Sequence, residues 1–299
     1  MRILTRQLIG KPVGESLQEE VRAKIQQRGT SESSPVLASV HLGSGGPFSF
    51  YLKRQERTAQ SLGIGFRDIS LPESTSTSEL REKVRALDAD RSVHAVLVQH
   101  PLPPGVNFQA AVDELSPVKD VDGVGLVNLG GLVEGRPIHA PAVALAVLRV
   151  LRHYSIPTRG HRVAVIGRSS TVGLPLALLL AGHGESGDAT VTVAHSRTPR
   201  LGEAVAGNDV IVSCAGVPGL LTRAVVPKGA VVIDVGLSSV PDPTAPSGAR
   251  PAGDADAPAL EGWVEAITPV PGGVGPVTVA QLMWGVVVGW GMINGGGPG

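Results

Sequence analysis

The sequence predicts an α/β protein built as two units with parallel strands, and three observations carry that reading. Short β-rich runs alternate with helix-like segments along almost the whole chain, the pattern of strand–helix–strand units. The alternation breaks at Thr158-Arg159-Gly160 and then restarts. The runs after the break are continuous Val/Ile stretches of the kind buried on both faces of a sheet. A chain of 299 residues has interior enough for two medium domains.

Taken in order, residues 36–42, 65–71 and 95–99 read as strands, and between them 48–62 and 78–87 carry apolar residues at helical spacing. A long apolar helix is predicted over 142–153. Strands follow at 162–167, 190–194, 209–214 and 231–235, all within a second unit whose pattern runs from Tyr154 to Ile267. The segment 238–259, rich in Pro, Ala, Ser and Asp, reads as an irregular surface loop. A final helix over 277–293 is expected to pack back on the first unit, and the tail 294–299 to fray. The expected domains are therefore 1–145 together with 276–299, and 146–275.

Composition excludes several functions. The formal net charge is zero, so no global field favours nucleic acid or an anionic membrane. One cysteine, Cys214, rules out an intramolecular disulfide and fits a reducing cytoplasm. The N-terminus lacks a signal-peptide core, since Arg2, Arg6, Gln7 and Lys11 interrupt it. Gly, Arg or Pro cut the longest apolar runs, so no membrane span is expected. No metal is expected either.

Two segments carry chemistry. The first, Val163 to Pro175, is a buried strand, a polar turn with flanking Gly167 and Gly173, and an apolar helix to Leu180. A helix N-terminus after such a turn presents free N–H groups and a positive dipole end to a phosphate. This is not G-x-G-x-x-G, and a plain strand-to-helix turn stays open as the alternative. The next strand ends Val193-Ala194-His195-Ser196-Arg197, without the acid that usually meets the ribose of NAD. Arg168, Ser196 and Arg197 could instead surround a 2′-phosphate, which favours NADP. A small-residue turn, Ser213-Cys214-Ala215-Gly216, would let the cofactor lie against backbone, with Cys214 a small hydrophobe rather than a nucleophile. The second segment, Ile267 to Thr278, packs three prolines and three glycines into twelve residues ahead of the last helix. It is a rigid, side-chain-poor loop that lets a ligand approach its backbone.

Gly167-Arg168-Ser169-(x)2-Val172-Gly173-x-Pro175 and the Pro/Gly run resemble the methylenetetrahydrofolate dehydrogenase/cyclohydrolase family. So do Gln99-His100-Pro101-Leu102-Pro103, Lys119-Asp120-Val121-Asp122-Gly123 and Gly253-Asp254-x-Asp256, spread in the family's order over nearly the whole chain. The resemblance implies an N-terminal α/β domain and a Rossmann-like NADP domain with a parallel sheet, a folate cleft between them, and a homodimer. The implied chemistry is hydride transfer from 5,10-methylenetetrahydrofolate to NADP, giving the 5,10-methenyl cation, which many members then hydrolyse to 10-formyltetrahydrofolate. By resemblance Tyr51 stacks along the folate, Gln99 bonds near the reacting ring, Asp122 accepts from the pterin, and Pro271, Gly272 and Gly273 line the cleft. Asp120 is read as capping or turn-forming.

The catalytic helix departs from the family pattern Ser-x-x-Tyr-x-x-x-Lys. Tyr51 takes the tyrosine position, and the spacing to Gly63-Ile64 sets the register, so the lysine position holds Gln55 and the serine position Phe48. Ser49 is one place out of register. Lys53 lies about 200° around the helix from Tyr51 at roughly 100° per residue, and Arg54 cannot give up a proton near neutral pH. The family lysine serves proton transfer in hydrolysis and holds the ligand, whereas glutamine cannot titrate. Ile138-His139-Ala140-Pro141-Ala142-Val143 replaces the family's Pro-Cys-Thr-Pro-x-Gly, and His100, beside Gln99, is expected to point away from the cleft. Three readings follow: a dehydrogenase without cyclohydrolase, the usual bifunctional enzyme, and a silent folate- or nucleotide-binding protein.

Overall fold

The computed structural model describes residues 4–28, 34–43, 49–244 and 248–295, with backbone alone at 49 and 50. Phe48 and the tail beyond 295 lie outside these residues. In chain order the elements are β1 (Arg6–Gln7), α1 (Gly10–Gln27), β2 (Val36–Leu42), α2 (Ser49–Ser61), β3 (Gly65–Leu71), α3 (Thr77–Ala89), β4 (Ala95–Val98), α4 (Phe108–Val112), α5 (Leu126–Val133) and α6 (Ala142–His153). They continue with β5 (Arg162–Ile166), α7 (Gly173–Ala181), β6 (Thr190–Ala194), α8 (Leu201–Ala204), β7 (Val210–Ser213), β8 (Val231–Asp234), β9 (Ser238–Pro241), β10 (Ala249–Ala252), α9 (Ala257–Leu260), β11 (Ala266–Ile267) and α10 (Val274–Ile293). Two compact units result, Glu15–Ala142 with Val279–Gly299, and Met1–Gly14 with Val143–Thr278.

The first of these units holds a parallel sheet in the order β3-β2-β4. Successive side chains of β2 serve opposite faces, as a pleated strand requires. Leu37 joins Ala59, Leu62 and Ile64 of the α2 side, while Ala38, Val40 and Leu42 pack with Leu80, Val84 and Leu87 of α3. A reciprocal cap starts α3: the Glu79 N–H donates to Ser76 Oγ at 3.3 Å and the Ser76 N–H to Glu79 Oε2 at 2.7 Å. Two otherwise orphaned amides are satisfied that way. Met283, Val286, Val287 and Trp290 of α10 complete this core.

The other unit holds a parallel sheet in the order β1-β11-β8-β7-β5-β6. Strand β5 pairs with β6 on one side and β7 on the other, so the winding reverses there. In open α/β sheets ligands bind beyond the carboxyl ends of strands at such a reversal. The nucleotide-type turn leaves β5 at that point.

Several expectations change. The N-terminal segment belongs with the six-stranded sheet rather than with 15–145, because Arg6 and Gln7 pair with Ala266 and Ile267. The described residues of 238–259 include an antiparallel β9–β10 pair, a fully buried Asp254 and the short α9 closed by buried Leu260, where the sequence reads as an irregular loop. Helix α10 starts at Val274, three residues early, since Pro276 falls in its first turn, where a missing N–H costs nothing. Its glycines do not interrupt it. By length and composition α10 could cross a membrane, but 67% of its apolar stretch is buried inside the protein.

Candidate active site and nucleotide turn

Helix α2 and the end of β4 bring two of the candidate catalytic residues, Gln55 and Gln99, together. Gln55 is 4% exposed, Lys53 on the other side is exposed, and Arg54 is half-buried, as a helix with one face on the sheet requires. The Gln99 N–H continues the β4 ladder by donating to Val40 O at 2.8 Å, which pins its side chain over β2. Gln99 Nε2 then donates to Gln55 Oε1 at 2.7 Å and to Ser39 Oγ at 2.9 Å. Burial pushes the Tyr51 phenol above its ordinary value, against the lowering effect of the Arg54 charge. His100 is exposed, edge-on to Phe108 at 5.2 Å between ring centroids, and partial burial lowers its pKa.

Asp120 and Asp122 take different roles. Asp120 is 2% exposed and accepts from the Gly125 N–H and Asn128 Nδ2, each at 2.9 Å, and from the Val124 N–H at 3.3 Å. It thereby caps α5, whose N-cap Gly125 has no side chain to do so. Lys119 also serves the framework, with Nζ donating to Asp88 O and, at 2.8 Å, to Asp90 O. Asp122 accepts a 3.2 Å bond from the Ala142 N–H. Burial pushes its carboxyl up to about 7, the Ala142 bond opposes this, and the Asp120 charge adds to it. His139 is 6% exposed, shares a 2.8 Å bond with Val118 O, and its pKa is lowered chiefly by burial.

At the nucleotide turn, Gly167 has φ 129°, and a Cβ there would meet Cys214 Sγ at 2.6 Å and Cys214 O at 2.8 Å. Only glycine suits both the backbone angle and the contact. A Cβ on Gly173 would collide with Gly167 O. The expectation of free N–H groups at the start of α7 is corrected. Ser169 Oγ accepts from the Val172 N–H at 3.1 Å and the Gly173 N–H at 3.4 Å, and Ser169 O accepts from Leu174 N–H at 3.1 Å. Pro175 has no N–H to offer, so the turn caps the helix from within. Arg168, Ser196 and Arg197 are exposed around it, and His195 Nδ1 accepts from the Arg197 N–H at 3.1 Å. Cys214 stays a thiol: burial, with the Asp254 charge, pushes it up to about 12, and Sγ donates to Ile166 O at 3.3 Å.

In the Pro/Gly run, Gly273 N–H donates to Pro269 O and Gly10 N–H to Gly272 O, each at 2.8 Å. A Cβ on Gly10 would collide with Gly273 O, so the run is clamped on the start of α1.

With this geometry in hand, residues 8–122 match the tetrahydrofolate dehydrogenase/cyclohydrolase catalytic domain and residues 141–291 the NAD(P)-binding domain of the same family. The chain belongs to that family. A relative from Chloroflexus aurantiacus, "Bifunctional protein FolD", is 40% identical over 277 residues, covering 92% of this chain and 94% of the relative. One of the same name from Lacticaseibacillus paracasei is 38% identical over 276 residues, 92% and 94% of the two chains. The Trypanosoma brucei methylenetetrahydrofolate dehydrogenase-cyclohydrolase, solved with NADP and an inhibitor, superposes with TM-score 0.90 at 34% identity, covering 97% and 98% of the chains.

Within the family's NAD(P)-binding domain, two buried carboxylates support the turn and were not singled out from the sequence as supports. Asp254 Oδ2 accepts from Ser213 Oγ at 2.7 Å, Ala215 N–H at 2.8 Å and Gly216 N–H at 3.3 Å, while Oδ1 accepts from Val217 N–H at 2.7 Å. Asp234 accepts from the Gly236, Asp254 and Ala255 N–H groups, and burial pushes it up to about 6. The Gly253-Asp254-x-Asp256 motif contained that signal. Ser39 was missed altogether, because a lone serine in a strand has no signature.

Proposed function

We propose that this chain is an NADP-dependent 5,10-methylenetetrahydrofolate dehydrogenase in which the cyclohydrolase reaction is absent or very weak. The observation that carries the reading is the buried Gln55–Gln99 amide pair at the position where the family pattern has a lysine. A carboxamide donates and accepts hydrogen bonds but does not take or release a proton near neutral pH. Hydrolysis of the methenyl cation needs water to be activated and protons to be moved. Hydride transfer needs only alignment: the methylene C–H bond breaks, its electron pair leaves with the hydrogen, and the methenyl cation remains.

The residues present fit the cofactor. Gly167 makes a cradle that a Cβ would fill, and exposed Arg168, Ser196 and Arg197 offer the donors a 2′-phosphate requires. Bound NADP supplies the hydride acceptor. Tyr51 orients the folate ring system, Gln99 bonds beside the reacting ring, and Asp122 accepts from the pterin N–H groups once ionised. Pro271, Gly272 and Gly273 offer backbone rather than side chains to the ligand. The family expectation is a homodimer.

The rival reading, a bifunctional enzyme, is favoured by the names of the relatives. Mixing protein, methylenetetrahydrofolate and NADP while following NADPH and methenyl absorbance together separates the cases. NADPH with accumulating methenyl supports the proposal; NADPH without it supports the bifunctional reading; neither signal means a silent binding protein. Gln55→Lys is expected to keep NADPH formation and abolish the accumulation.

A further inference from the structure

We infer that Ser39 is a positioning residue for the folate reaction, its hydroxyl acting with Gln55 to lock the Gln99 carboxamide so that Gln99 Oε1 is the atom offered to the ligand. This rests on the dehydrogenase reading above. Ser39 is 0% exposed in the middle of β2, among Leu37, Ala38, Val40 and Leu42. A hydroxyl in such a strand costs free energy unless it is bonded. The other polar residue of the strand, His41, is engaged elsewhere, with Gly43 O and Asp68 Oδ1. Ser39 faces Gln99.

A carboxamide nitrogen has two hydrogens, and Gln99 Nε2 gives one to Ser39 Oγ and one to Gln55 Oε1. Its donors are then used up and its plane is fixed. Among the described residues the buried side-chain polar atoms without a partner are Asn208 Oδ1 and Gln281 Oε1. Gln99 Oε1 and Gln55 Nε2 take no bond in this network and are not among them, and the two residues keep 7% and 4% exposure. A ligand reaching this point meets a carbonyl oxygen from Gln99 and an N–H from Gln55. A fixed carbonyl dipole beside the reacting ring suits a step that creates a cation there, because it needs no reorganisation as charge develops. Removing the Ser39 hydroxyl strands one N–H and frees the amide to swivel.

Ser39→Thr and Ser39→Val give nearly the same shape and differ in the hydroxyl, and Ser39→Ala removes the hydroxyl without adding volume. For each, kcat and KM for methylenetetrahydrofolate, KM for NADP and the tetrahydrofolate Kd by titration are measured. Val and Ala are expected to lower kcat/KM for the folate about five- to tenfold, the loss of one buried hydrogen bond, with KM for NADP unchanged. Thr is expected to restore most of it. Equal losses for Thr and Val, no loss for Ala, or losses shared by NADP would overturn the assignment. If the native chain forms no NADPH, the dehydrogenase reading falls separately. The Kd series still decides Ser39: weaker binding with Val than with Thr upholds it, and equal binding overturns it.

Discussion

Asp122 sits in the Lys119–Gly123 motif, where the family resemblance implies a carboxylate, and burial raises its carboxyl to about 7 from 3.8. Its proton is held more tightly folded than unfolded, so its stabilising contribution is fully present below the unfolded value and is lost as pH rises through about 7. Asp122→Asn removes that titration. Urea midpoints should show the native chain losing roughly 1–2 kcal/mol relative to the Asn variant between pH ~4 and ~8, partial solvent contact trimming the full linkage value. A difference that does not vary with pH would refute it. Residue identity was legible in the motif. The shift was not, because it arises from burial and from Asp120 brought close by the turn.

At the scale of elements, helices and strands with strong periodicity were legible almost residue for residue. Val36–Leu42, Gly65–Leu71, Ala142–His153 and Thr190–Ala194 appear where the pattern placed them. Elements ordered by side-chain bonds to distant backbone were not. The β9–β10 pair and α9 fall in a stretch that looks like a loop in sequence, where Asp234 holds the Asp254 and Ala255 N–H groups and Asp256 caps α9. The turn into α7 is legible as a turn in sequence, but its amides are consumed by Ser169, a local bond that sequence leaves open. Gly173→Ala tests the packing of this turn. Its Cβ would meet backbone, Gly167 O, which cannot step aside as a flexible side chain can. NADP affinity is expected to fall at least tenfold by titration, with tetrahydrofolate affinity nearly unchanged, since a backbone clash of this kind costs about 1–3 kcal/mol. Retained NADP affinity would mean the turn is looser than its contacts imply.

For the whole molecule, the N-terminal segment is the part whose place no pattern announced. β1 is two residues long and carries no alternation, yet it closes one edge of the six-stranded sheet. Thr5 Oγ1 donates to Val264 O at 2.9 Å, Leu8 is fully buried, and Gly10 clamps the Pro/Gly run. Deleting residues 1–9 should therefore lower the melting temperature by several degrees, and burying Leu8 alone is worth about 1.5–3 kcal/mol. A truncated chain that melts with the native one would show that the edge strand is dispensable. The sequence alone determined the family, the α/β class, the periodic elements and the glutamine at position 55, because these rest on local spacing and on motifs that survive without a fold. The tertiary structure alone decided which unit owns the N-terminus, that Gln99 spends both N–H groups on Ser39 and Gln55, and that burial raises the Asp122 carboxyl. Those depend on distances between residues far apart in the chain, and only burial makes their hydrogen bonds and charges strong enough to matter.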